Sequence, residues 1–315
     1  MENDANSIDL VYLWVDGNDP AWQAKRNAFI GKLGSSSVNC KGRYANNDEL
    51  KYSLRSVDKY LPWIRKIFIV TDEQTPEWLD LSNPRVQIVD HKDFMPAESL
   101  PCFNSCLIEH YLYRIPGLSE RFLYANDDMY INKEATAADF FGDDGFPIVR
   151  LTHKRLRKIR WFYRENIRRT PLRNYSKKIA HASQLVNEKY GVYYTGMPHH
   201  NIDAYLTEDC RHVAEDVMHD EFMADNKHKM RNDKDVQRIV FSYVALAEKR
   251  AHLKYVNKGE SMLVKIHRKG HYEKLERYNP MFFCMNDSEY ATDSDRLMAK
   301  TYLENRFNEK SSFEK

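Results

Sequence analysis

The sequence predicts an α/β protein with a mostly parallel sheet flanked by helices, on three observations. Runs of β-branched and aromatic residues alternate with segments of helical apolar spacing. The runs are continuously apolar, as in strands buried on both faces. Several of them stop at acidic residues, the position where open α/β sheets hold their ligands.

"IDLVYLWVDG" (Ile8 to Gly17) predicts a buried first strand that stops at Asp-Gly. "NNDELKYSLRSVDKYLPW" predicts a helix capped by Asn47. Its first turn is acidic, Leu50, Leu54, Val57 and Leu61 have helical spacing, and Pro62 closes it. "RKIFIVTD" and "RVQIVDH" predict two more buried strands. "NSCLIEHYLYRIPG" predicts a helix ended by Pro116 and Gly117, and "RFLYANDD" the next strand. Asp16, Asp72 and the pair Asp127/Asp128 therefore fall at strand ends. Residues 150 to 178 carry twelve Arg and Lys side chains interleaved with Trp161, Phe162 and Tyr163, which predicts a basic excursion, helical until Pro171. "DVQRIVFSYVALAEK" predicts a helix with Val236, Ile239, Val240, Tyr243 and Leu246 on its apolar side, and the tail from Ser288 is polar and helix-permissive. The expected organisation is a core in two halves, 1–149 and 190–287, a basic helical insertion at 150–189, and a helical tail at 288–315.

The composition of the 315 residues, 42% hydrophobic with a formal net charge of +2, suits a packed core and excludes a disordered chain. The five cysteines (Cys40, Cys102, Cys106, Cys210, Cys284) are odd in number and lack a CxxC pair, which points to a reducing cytoplasm. No apolar run reaches the ~18 residues of a membrane span, and "MENDANSIDL" is acidic where a secretory signal is basic. The expected location is cytoplasmic, with any membrane contact peripheral, at the inner face.

Adjacent carboxylates repel, and each is costly to bury without a partner. Asp127 and Asp128 suit a divalent metal, Mg²⁺ or Mn²⁺, or a general base; a capped turn would also use them. In "MPHH", His199 and His200 diverge on any regular element, so at most one faces a site. Arg231 in "HKMRNDKDVQ" precedes a helix, where it and the helix N-terminus face an anion, and Arg55 lies within the Asn47 to Leu61 helix. The phosphate-loop, dinucleotide, zinc-protease and serine-hydrolase signatures are all missing. The residues alone support an enzyme that handles phosphate with acidic, histidine and arginine side chains.

At "IDLVYLWVDG", "NDELKYSLRSVDKYLPWIRKIFIVTDEQTPEWL" and "FLYANDDMYI" the chain resembles the Stealth family of bacterial capsule phosphotransferases. That family is similar to the catalytic subunit of animal N-acetylglucosamine-1-phosphotransferase. The likeness continues through "NPRVQIVDHKDFMP", "FNSCLIEHYLYRIPGLS", "MPHHNID", "HKMRNDKDVQ" and "NPMFFCMND", but not through about 150 to 185. It implies a nucleotide-sugar transferase (GT-A-like) fold and transfer of sugar-1-phosphate from a UDP-sugar to a glycan hydroxyl, with release of UMP. It further implies Asp128, His199 and Arg231 as catalytic and Asp16, Arg55, Ser105 and Glu109 at the donor. For that chemistry Asp127 and Asp287 are expected to hold Mg²⁺ or Mn²⁺. The expected partners are the nucleotide-sugar donor, a capsule or lipid-linked glycan, and anionic lipid along Arg155 to Arg173. The alternatives are a conventional glycosyltransferase releasing UDP and a membrane- or polyanion-binding protein.

Overall fold

The computed structural model describes residues 7–31, 46–153, 156–170, 172 and 174–315; Cys40, Arg155 and Arg173 lie outside them. The four predicted strands form as β1 (Ile8–Leu13), β2 (Ile67–Thr71), β3 (Val86–Asp90) and β4 (Arg121–Asn126). With the later β8 (Asp203–Leu206) they make a five-stranded sheet in the order β3-β2-β1-β4-β8, parallel except for β8. Every residue of β2 is buried, because helices and loops cover both faces. One face carries Val11, Phe68, Phe122 and Tyr124, and the other carries Leu10, Tyr12, Ile69 and Leu123.

Helices α1 (Pro20–Gly31) and α2 (Glu49–Tyr60) separate β1 from β2. The apolar spacing placed α2 within two residues at its start, but its cap differs. Asp48, in the left-handed region, occupies the cap position without a side-chain cap bond, while Asn47 hydrogen-bonds Glu49. The helix expected over 104–117 is shorter. Asn104 caps α3 (Ser105–Glu109), and the chain continues as a single 3₁₀ turn over Leu112–Arg114.

Short β5 (Met129–Ile131) leaves the Asp127/Asp128 turn and joins β10 (Ser261–Lys265) and β11 (Phe282–Asn286) in a second sheet. A third sheet holds β6 (Ile148–Thr152), β7 (Met197–Pro198) and β9 (His252–Tyr255). The expected boundary at 149/150 therefore falls inside a strand. The basic excursion forms α4 (Arg157–Phe162), which runs on as a wider π turn through Ile167. It then returns to the core: α5 (Asn174–Tyr190) buries Ile179, Ala182 and Val186. Gly196 permits the close β7 approach, since a Cβ there would lie 2.7 Å from Leu151.

Helices α6 (Thr207–His212) and α7 (His219–Asp225) precede α8 (Ile239–Ala247). α8 is buried nearly all round and starts three residues after the first residue of its apolar pattern, Val236, because Asp235 is drawn into side-chain bonds described below. After α9 (Lys269–Tyr278), the tail forms α10 (Asp293–Arg306), capped by a reciprocal Thr292/Asp295 box. The last residues are not simply polar. Phe313 is fully buried, and Glu314 takes two bonds from Arg55, at 2.7 and 2.8 Å. Cutting that bidentate pair by Glu314→Gln is expected to lower unfolding free energy by about 1–3 kcal/mol in urea titrations. Among the described residues no helix is long and apolar enough to cross a membrane.

Candidate active site

The chain enters β2 on one side of β1 and later crosses to β4 on the other, so the strand order reverses between β1 and β4. A crevice opens at such a switch point, beyond the carboxyl ends of the strands. Asp16 follows β1 there, with its Oδ1 accepting from the Asn18 amide at 2.9 Å and its own amide donating to Gln74 at 2.9 Å. Asp127 and Asp128 follow β4.

Packing fixes the acidic turn rigidly. The Met285 amide donates to the Asp128 carbonyl at 2.9 Å, and the Cys284 thiol donates to Asp128 Oδ2 at 3.2 Å. Ser53, on α2, holds the Met129 carbonyl at 2.5 Å and bonds Tyr12. Asp128 Oδ1 is buried with no hydrogen-bond partner among the described residues. Burial, then the charge of Asp128, then that of Glu49 push the Asp127 carboxyl well above the usual range. Burial also raises Asp128, opposed by a charge on His200 and by the Cys284 bond. Glu49, at the start of α2, is raised by its own burial and feels Asp128. Three half-buried carboxylates thus feel one another's charge.

A cation would fit beside Asp128. The orphaned Asp128 Oδ1 needs a partner, and a positive ion would reverse the penalty on all three carboxylates. Ligand atoms of Asp128, His200 and Cys284 also lie within 4.8 Å of one another.

The histidine beside Asp128 is His200. It stands in the left-handed region (φ 63°), burial lowers its pKa, and Asp128 partly restores it. His199, expected to be catalytic, is instead held at both nitrogens. Nδ1 lies 3.0 Å from Ser261 Oγ and Nε2 lies 3.0 Å from Asp203 Oδ1, and its side chain is wholly enclosed. Neither nitrogen is free to take a proton from a substrate in this arrangement.

Beneath them lies a network that sequence reasoning passed over. Arg238, just before α8, donates to Asp203 at 2.9 Å and sits 4.1 Å from the Tyr124 ring centre. Its Nε lies 3.8 Å from Glu109, which accepts the Tyr124 hydroxyl at 2.8 Å. Burial alone would raise Asp203, but Arg238 and His199 hold it down at about 2. Glu109 is therefore buried beneath the strand ends as an ion-pair partner.

Arg231 is exposed, in the loop anchored to α3 by the Phe103 amide bond to the Lys229 carbonyl (2.8 Å). Its charge reaches Cys106, next to Ser105, whose thiol burial and Glu109 push up to about 12. Lys178 of α5 donates to Asp235 at 2.8 Å, and Asn104 donates to the same carboxylate at 3.0 Å. Arg231, Ser105 and Glu109 thus share the α3 flank.

Two expected residues are elsewhere engaged. Arg55 is clamped by Glu314 and the Phe307 carbonyl, so its guanidinium serves the tail. Asp287 takes a bidentate pair from Arg296, at 2.7 and 3.2 Å, which neutralises it as a metal ligand. Composition signalled neither, because both partners come from the tail. The signals for Glu49 and His200 lie in "NNDEL" and "MPHH": an acid in a helix's first turn and the second of two adjacent histidines look no different in line from a cap residue and a surface imidazole.

An α/β sheet with carboxylates, imidazole and arginine gathered at its switch point belongs to the ligand-handling class of open α/β proteins. Residues 6–34 match Stealth protein conserved region 1 and residues 43–149 match Stealth protein conserved region 2. An exopolysaccharide phosphotransferase of Streptomyces coelicolor is 50% identical over 139 residues, 44% of this chain and 24% of that protein. One from Lactiplantibacillus plantarum is 46% identical over 140 residues, 44% and 41% of the two chains. The receptor polysaccharide phosphotransferase WefC of Streptococcus oralis is 43% identical over 144 residues, 45% and 43%. The matched stretch spans less than half of each relative's length. The galactosyltransferase LgtC, solved with donor and acceptor sugar analogs, matches over 95% of each chain at 10% identity and a TM-score of 0.45, too slight a likeness to bear on the site.

Proposed function

We propose that the protein transfers a sugar-1-phosphate from a nucleotide-diphosphate sugar, UDP-linked, to a glycan hydroxyl, forming a phosphodiester and releasing UMP. The observation that carries this reading is the half-buried carboxylate corner at the sheet's switch point, with the buried, unpartnered Asp128 Oδ1 and His200 beside it. The names of the relatives, all polysaccharide phosphotransferases, support it. The acceptor is a capsule or lipid-linked glycan, and contact of residues 150–189 with an anionic membrane face belongs to the same reading.

Asp128, with the charges of Asp127 and Glu49 close by, would hold Mg²⁺ or Mn²⁺, which supplies charge neutralisation for a diphosphate. Phosphoryl transfer asks the protein chiefly for positioning and compensation of charge. His200, kept neutral by burial, takes the proton of the acceptor hydroxyl, and Asp128 orients it. Arg231 on the α3 flank meets the oxygens of the transferring phosphoryl group, and Asp16 borders the donor. His199 positions the loop through Asp203 and Ser261.

The test is incubation with UDP-, GDP- and CDP-sugars, Mg²⁺ and capsule oligosaccharide. UMP and a phosphodiester resonance in the ³¹P spectrum are expected, and His200→Gln should slow both by about 10²-fold or more. UDP with a phosphorus-free product would mean a conventional glycosyltransferase.

A further inference from the structure

The matched family regions end at residue 149, and the chain's most conspicuous surface begins just beyond. Over residues 156–170 the described chain carries six cations against the one acid, Glu165. Leu156, Ile159, Phe162, Tyr163 and Ile167 are each between 49% and 64% exposed, an unusual density of large apolar side chains in water. Four of them, at 156, 159, 163 and 167, follow the three- and four-residue spacing of one helical stripe. Lys158, Arg160, Arg168 and Arg169 are exposed alongside, and none has an ion-pair partner among the described residues. The inner side of the segment is fastened by Arg157, buried against Trp161, while the exposed Lys158 lies 4.3 Å from the Tyr193 ring centre.

That surface stands on the scaffold of the proposed site. β6 leads into it, and β7, paired with β6 at Leu151–Pro198, leads to His199 and His200. On the way back, Tyr175 meets His200 edge to face at 6.1 Å. A soluble polyanion would satisfy the cations but would leave the stripe in water. An anionic bilayer interface satisfies both, since acyl-chain ends take apolar side chains while phosphates take Lys and Arg.

We propose that residues 156–169 dock this protein on an anionic bilayer, with the stripe of Leu156, Ile159, Tyr163 and Ile167, flanked by Phe162, inserted at the headgroup boundary. This deepens the transfer reading and rests on it for the cargo: the acceptor would be a lipid-linked glycan presented from that surface to His200.

The test uses the full chain with vesicles of phosphatidylcholine alone and with about one-third phosphatidylglycerol. Sedimentation with the anionic vesicles only is expected, falling as salt rises. Ile159→Ser/Phe162→Ser/Ile167→Ser and, separately, Lys158→Gln/Arg160→Gln/Arg168→Gln/Arg169→Gln should each weaken it about tenfold or more. Both variants should keep wild-type melting temperature and wild-type transfer to a water-soluble oligosaccharide. Wild-type vesicle binding by the apolar variant would overturn the proposal. So would sedimentation with neither vesicle, or binding to soluble polyphosphate in place of vesicles. Docking with the expected losses but without any nucleotide release would support the docking element and sink the transfer reading alone.

Discussion

Asp128→Asn is expected to cut sugar-phosphate transfer by about 10²- to 10⁴-fold, the range removed with a group that handles the reacting proton or its metal. The effect is chemical and not structural. The turn is held through the Asp128 backbone carbonyl, which the substitution keeps, and an amide oxygen can still accept the Cys284 thiol. Because the replaced carboxylate repels Asp127 in a half-buried corner, the variant should melt no lower than the parent in the absence of metal. Added Mg²⁺ should raise the parent's melting temperature and move the variant's less, by linkage of binding to folding. Full transfer activity in the variant would remove Asp128 from the reaction.

Arg238→Met should cost about 3–5 kcal/mol of unfolding free energy, the loss seen when one member of a buried charge network is removed. The methionine fills much of the space against Tyr124 and Tyr205 but leaves Asp203 and Glu109 enclosed without their cation. The pH profile separates this from a packing defect. Asp203 is held near 2 in the folded protein, below its unfolded value of about 3.9. A carboxyl with a depressed folded pKa contributes stability above its unfolded pKa and loses it as pH falls through the folded one. The parent should therefore lose this contribution between about pH 4 and 2. In the variant the Asp203 pKa rises, so that acid limb moves to higher pH, which urea titrations across pH will detect. A variant whose stability differs from the parent by a constant amount at every pH would assign Arg238 a packing role only.

The strands were legible because their causes are local. Continuous β-branched runs ended by acids placed β1 to β4, and the acid-ended turn after β4, correctly. Helix α2 was legible from the spacing of Leu50, Leu54 and Val57. Local pattern failed where a side chain found a distant partner. α8 starts late because Asp235 is engaged by Lys178 and Asn104, far off in the chain. Arg55 left the donor site because its partner, Glu314, lies 259 residues away.

By itself, then, the sequence determined an α/β class with a mostly parallel sheet, an acidic pair at a strand end, and a basic aromatic segment after residue 150. Only the tertiary structure decided that His200 and not His199 faces Asp128, that Glu49 completes the carboxylate corner, and that Arg238 ties Asp203 to Glu109 beneath it. The physical reason is range. Periodicity and propensity act over a few residues and can be read in line, whereas the partner of a buried charge is chosen by packing between elements that the chain joins only when folded.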